Sequence, residues 1–161
     1  MSKNGRKQVF QWTSALLAGF FVVNALCFGY ERQPGWLDTP EGPAASVWRP
    51  GAVIVHGTEG YGISKVDENG FLNSDGTLAE RYVLMMGASH TQGKEVSPGQ
   101  RYSTLVNDYF SGGSGFLTAY SIASDGHFLP SQIRHFRAAV EAFPNAGAIT
   151  IEIGSTDDSP Q

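Results

Sequence analysis

The segment Tyr82-Val83-Leu84-Met85-Met86, followed at once by Gly87-Ala88-Ser89-His90-Thr91-Gln92-Gly93, constrains this chain most. A continuous apolar run that ends in a turn reads as a strand buried on both faces, the pattern of a parallel sheet. Tyr102 to Phe110 then places Leu105, Val106, Tyr109 and Phe110 at helical spacing, and Ser111-Gly112-Gly113-Ser114-Gly115 ends that helix. Phe116 to Ile122 reads as a second strand. Leu129 to Phe143 reads as a second helix, with Pro130 in its first turn and Ile133, Phe136, Val140 and Phe143 on one expected core face. Pro144-Asn145 closes it, and Ala148 to Ile153 reads as a third strand. Strands alternating with helices imply an α/β fold with βαβ units, a parallel sheet and right-handed crossovers.

The amino terminus carries a different signal. Val9 to Phe28 is apolar, broken by Gln11, Thr13 and Asn24, and close to the roughly 20 residues that span a bilayer as a helix. Lys3, Arg6 and Lys7 precede it, and every Asp and Glu follows it. The basic flank predicts a cytoplasmic tail over 1–8, a single-pass anchor over 9–29 and an extracytoplasmic remainder, so the localisation is the cell membrane. No small-x-small cleavage site follows the run, which favours an anchor over a cleaved signal or a buried core helix. The net charge is −4, and the part after the anchor is clearly acidic, which argues against nucleic acid as a partner. The single cysteine, Cys27, excludes an internal disulfide and a cysteine zinc site.

Residues 30–79 form the expected stalk and small β-hairpin region. Glu31 to Pro50, rich in Pro, Gly and Trp, reads as a stalk or an irregular wrap on the domain surface. Ala52 to His56 reads as a strand, and Tyr61 to Leu72 as a hairpin turning at Asn69-Gly70.

Parallel sheets bind ligands at the carboxyl ends of their strands. Three segments fall there: Gly87 to Gly93, Ala123-Ser124-Asp125-Gly126-His127, and Gly154-Ser155-Thr156-Asp157. Ser89, at a strand-to-helix turn, has the setting of a hydrolase nucleophile. The same residues, Ser89-His90-Thr91-Gln92, also fit a capping box. Gly126 reads equally as a turn glycine, and Thr156 and Asp157 as plain loop. Lys94 follows Gly93, but Glu95 stands where a phosphate loop needs Ser or Thr, so that motif fails. The histidines and acids show no metal-ligand spacing in sequence, so neither a metal nor an organic cofactor is expected.

The order of these blocks resembles the SGNH (GDSL-like) hydrolase family over roughly 69–158. Gly87, Ser89, Thr91 and Gly93 match its first block, with Ala88 where the family usually has aspartate. Gly126 fits the second block; Gly154 and Asp157 fit the third, with Thr156 at the asparagine position. The resemblance implies a three-layer, flavodoxin-like parallel sheet, here incomplete over 80–161 and preceded by a transmembrane helix. It implies Ser89 as nucleophile, the Ser89 and Gly126 amides as an oxyanion hole, and Thr156 as a weak third donor. The substrate class it implies is an ester, such as an acetylated carbohydrate, with transfer to a surface polysaccharide as the alternative.

The family's carboxyl-terminal Asp-x-x-His has no counterpart here. The chain is therefore expected to be a fragment of a larger hydrolase, or an inactive or binding-only domain of that fold. Of the four histidines, His90 is adjacent to Ser89 and points away from it on a helix. His127 is the better-placed one, and with His90 and Asp157 it is expected to line the cleft. His135 reads as a surface or packing residue, and His56 has no evident role.

Overall fold

The computed structural model describes residues 3–112 and 116–153. It opens with helix α1, Lys3–Tyr30, about 42 Å long at the standard rise. Gly5–Tyr30 has a mean hydropathy of 1.6 and none of its apolar window is buried. A core helix would bury one side, so this one is a long apolar helix of membrane-spanning length rather than part of the core.

The centre of the molecule is a three-stranded parallel sheet in the order β6-β5-β7, formed by β5 (Thr77–Met86), β6 (Phe116–Ser121) and β7 (Ala146–Ile151). Helix α3 (Tyr102–Ser111) connects β5 to β6, and α4 (Leu129–Ala142) connects β6 to β7. A one-turn helix, α2 (Ser89–Gln92), follows β5 directly. The first of the three strands is thus the middle one, and the direction in which successive strands are added reverses after β6. Leu84, Met86, Tyr120, Ile122 and Phe143 supply the main core.

Two small antiparallel sheets pack beside it. Strands β1 (Trp36–Asp38) and β2 (Ser46–Trp48) pair, with the Trp36 and Trp48 rings stacked at 3.7 Å. The segment expected as stalk or wrap is therefore a wrap. It is fastened by the Ala45 amide donating to His127 Nε2 at 2.8 Å and by His135 Nδ1 bonded to the Gly42 carbonyl at 2.8 Å.

Strands β3 (Val53–His56) and β4 (Gly62–Lys65) form a hairpin around a second apolar cluster of Trp48, Ile54, Val66 and Leu72. This corrects the expected register. The hairpin turns at 57–61, and Asn69-Gly70 is a separate turn in which Asp67 Oδ1 accepts from the amides of Asn69 and Phe71. Phe71 is drawn into the main core against Tyr120, which removes it from strand pairing.

Both crossover helices also depart from the periodicity reading. Helix α4 buries Gln132, His135 and Ala139, while Ile133, Phe136 and Val140 are exposed. Helix α3 buries Ser103, Thr104 and Asn107, while Leu105, Tyr109 and Phe110 are exposed. Hydrogen bonding decides this. Asn107 Oδ1 accepts from the amides of Thr118 and Ala119 at 2.7 Å, and its Nδ2 donates to the Ala119 carbonyl. Gln132 Nε2 donates to the carbonyls of His127 and Glu152. Polar side chains that complete backbone bonding along the edge strand β6 and just past β7 fix each helix's rotation.

Candidate active site

Ser89 lies at the carboxyl end of β5, the middle strand of the sheet. In open α/β sheets the crevice forms where the strand order reverses, and here that point is the end of β5. The turn is tight. A Cβ on Gly87 would overlap the Thr91 side chain and stand 2.6 Å from Glu152 Oε2, so only glycine fits. Gly93 caps α2 in the left-handed conformation at φ +61°, with its amide donating to the Ser89 carbonyl at 2.8 Å.

The capping-box expectation is corrected. The N-cap is Ala88, Ser89 is the first helical residue, and no side chain of the box caps the helix. The cap comes from Glu152, a residue distant in sequence. Its Oε2 accepts from the Ala88 amide at 2.9 Å, the Thr91 amide at 3.2 Å and the Thr91 hydroxyl at 2.6 Å. Its Oε1 bonds His90 Nδ1 at 3.2 Å. The Tyr102 hydroxyl in turn meets Thr91 Oγ1. Burial pushes the Glu152 carboxyl up. The Thr91 hydroxyl, the two amides and His90 together outweigh it and hold the group below its ordinary 4.5. Glu152 was not singled out from the sequence. The available signal was a lone acid in the apolar run Ala148 to Ile153.

With the capping role taken by Glu152, the half-buried Ser89 hydroxyl has no hydrogen bond to another described residue. The neighbouring loop is drawn alongside. The Ser124 amide donates to the Gly87 carbonyl at 3.1 Å, and the buried Lys94 ammonium pairs with Asp125 at 2.6 Å. Lys94 therefore joins the loop after β5 to the loop after β6. Gly126, between Asp125 and His127, is exposed and adopts φ +71°, a left-handed conformation that suits glycine. Its amide donates to no described residue.

The histidines divide sharply. His90 is exposed and oriented by Glu152, not by Ser89. His127, expected in the cleft, is instead buried beneath the β1–β2 wrap. Its Nε2 accepts from Ala45 and its ring lies 5.3 Å from that of His135. Burial first, and the His135 charge second, lower its pKa to about 4, so it is neutral at pH 7 and occupied as an acceptor. His135 is a packing residue. Gly154, Thr156 and Asp157 lie outside the described residues.

A cavity of about 810 Å³ lies at the opposite end of the sheet, lined by Thr77, Leu78 and Leu117 with Asp67 and Lys65. The switch point of the sheet lies at the other end, beside Ser89. Comparison with protein-family models, with curated proteins and with solved structures finds no match to this chain.

Proposed function

We propose that this chain is a membrane-anchored, extracytoplasmic ester hydrolase domain of the SGNH type, with Ser89 as its nucleophile. The observation that carries this reading is the hydroxyl of Ser89, uncommitted to any described residue, at the carboxyl end of the middle strand in a sheet ordered β6-β5-β7. The connection from β5 to β6 and the return from β6 across β5 to β7 run in opposite directions, and right-handed crossovers of that kind would set α3 and α4 on opposite faces, giving the three layers of the family. The long apolar α1 and its basic flank support the anchor and its orientation.

In this reading Ser89 Oγ attacks an ester carbonyl and loses its proton to a base. The carbonyl oxygen becomes an oxyanion held by the amides of Ser89 and Gly126. A donor of this kind is worth about 3–4 kcal/mol in the transition state. Collapse expels the alcohol and leaves an acyl-serine. Water then completes hydrolysis, or a sugar hydroxyl completes transfer. Thr156 would add a third, weaker donor. An acetylated carbohydrate is the substrate class, by analogy with the family. The base would come from outside the described residues.

One observation favours a second reading, an inactive or binding-only domain. No described histidine bonds Ser89, since His127 is buried as an acceptor and His90 faces Glu152. A fluorophosphonate probe separates the two. Labelling of the detergent-solubilised chain that disappears in Ser89→Ala supports an activated serine; a folded but unlabelled protein supports binding alone.

A further inference from the structure

Past the carboxyl end of α2, three groups from two segments come together. His56 ends β3, Glu59 sits in the β3–β4 turn, and Glu95 follows Lys94 in the loop after α2. One ligand atom from each lies within 4.8 Å of the other two. We propose that His56, Glu59 and Glu95 form a binding site for a first-row divalent cation such as Zn²⁺.

The second coordination sphere is already built. Glu31 Oε1 lies 3.1 Å from His56 Nδ1, and Glu31 Oε2 accepts from the Gly57 amide at 2.9 Å and the Thr58 hydroxyl at 3.3 Å. The Gln33 amide nitrogen donates to the same Oε1 and lies 3.3 Å from Nδ1. With the Glu31 carboxylate at Nδ1, the imidazole turns its Nε2 away from Glu31 and towards Glu59 and Glu95. His56 is 6% exposed, and its Nε2 is buried without a partner. Glu95 Oε1 is likewise buried without a partner. Two orphaned acceptors beside a third carboxylate call for a cation between them.

The backbone holds this arrangement. A Cβ on Gly60 would overlap the Glu95 carbonyl, and one on Gly62 would stand 2.5 Å from the Lys94 carbonyl. The turn bearing Glu59 therefore lies flush against the strand of chain bearing Glu95. Arg101, a cation that interacts with Glu95, commits donors to Gly93, Leu72 and Ser64, so it adds charge and no ligand. Zinc takes imidazole nitrogen and carboxylate oxygen at about 2.0–2.2 Å. The exposed Glu59 closes on the ion, and a fourth, tetrahedral position stays open to water. Bound there, the ion would pin the β3–β4 hairpin to the loop that follows α2.

The test is Zn²⁺ titration of the chelator-stripped full chain in detergent, by competition with a chromophoric chelator, with Co²⁺ as a spectroscopic probe. The expected result is one Zn²⁺ per chain, a Co²⁺ spectrum of low-symmetry N/O ligation and a higher Tm with Zn²⁺. Glu59→Gln and Glu95→Gln, which keep side-chain shape, should each weaken binding at least tenfold. His56→Ala should abolish it, and Glu31→Gln should weaken it about 10–100-fold through the imidazole. Zn²⁺ affinity unchanged in both glutamine variants overturns the proposal. So does binding lost in His90→Ala but kept in His56→Ala, or no binding by a folded chain.

Discussion

The two sides of the one-turn helix α2 carry the same residue types in opposite states of saturation. On the Ser89 side, Glu152 receives two amides and a hydroxyl on Oε2 and an imidazole on Oε1. On the Glu95 side, a glutamate oxygen and an imidazole nitrogen are buried with no hydrogen bond at all. A carboxylate supplied with donors from the chain is a structural tie, and it leaves the adjacent serine uncommitted. A carboxylate and an imidazole left without donors form a place for something the chain does not supply. Partner inventory, not residue type, separates scaffold from site.

The hardest test of this contrast is Gly87→Ala. The added methyl meets Thr91 and Glu152 together, so the variant should lose about 3 kcal/mol or fail to accumulate as folded protein, read by chemical denaturation. Next comes a matched pair of variants under metal-free conditions. Glu152→Gln replaces the carboxylate that accepts from Ala88 and Thr91 with a neutral amide oxygen, weakening three charge-assisted bonds, and should cost about 2 kcal/mol, whereas Glu95→Gln removes no hydrogen bond and should cost under about 1 kcal/mol. Equal losses would erase the distinction between the two sides.

Lys94→Met should cost about 1–2 kcal/mol, because it breaks the pair that binds the two loops and leaves Asp125 partly solvated. It should also lower fluorophosphonate labelling, since Gly126 then loses its anchor to the Ser89 loop.

Acid supplies a finer probe. His127 has its folded pKa depressed to about 4 from 6.5, so the unfolded chain binds more protons between those values. Its contribution is complete above pH 6.5 and falls away as pH drops towards 4. Tm followed across that window should decline, and His127→Gln should flatten the decline. The lowered carboxyl of Glu152 adds a later loss as pH falls below 4.5. The smallest effect on stability belongs to Ser89→Ala, under about 0.5 kcal/mol, because no described group bonds its hydroxyl; the same variant should lose all probe labelling.

Much of this architecture was legible along the chain. The apolar run before Gly87, the apolar amino-terminal helix and the alternation of strands with helices come from local composition and period, and they stand in the structure. So does the pairing of a glycine-bounded turn with the end of a strand. The rotation of α3 and α4 did not follow from period. Asn107 and Gln132 turn their helices by bonding to backbone groups of other elements, and periodicity weighs apolar residues while ignoring such bonds. The helix cap escapes local pattern for the same reason: Ser-x-x-Gln is a match along the chain, and Glu152, just after β7, accepts from the amides of Ala88 and Thr91 instead.

What the sequence decided by itself is therefore the apolar helix, the strands and helices of the central sheet and the position of Ser89, because these answer to neighbours in the chain. What the tertiary structure alone decided is which polar groups are spent and which are left over. Glu152 reaches α2, Ala45 occupies His127, and His56 meets Glu95, through contacts between residues far apart in sequence. Hydrogen bonds and ligand geometry are distances in space, and a linear spacing rule has no access to them until the sheet has set its order.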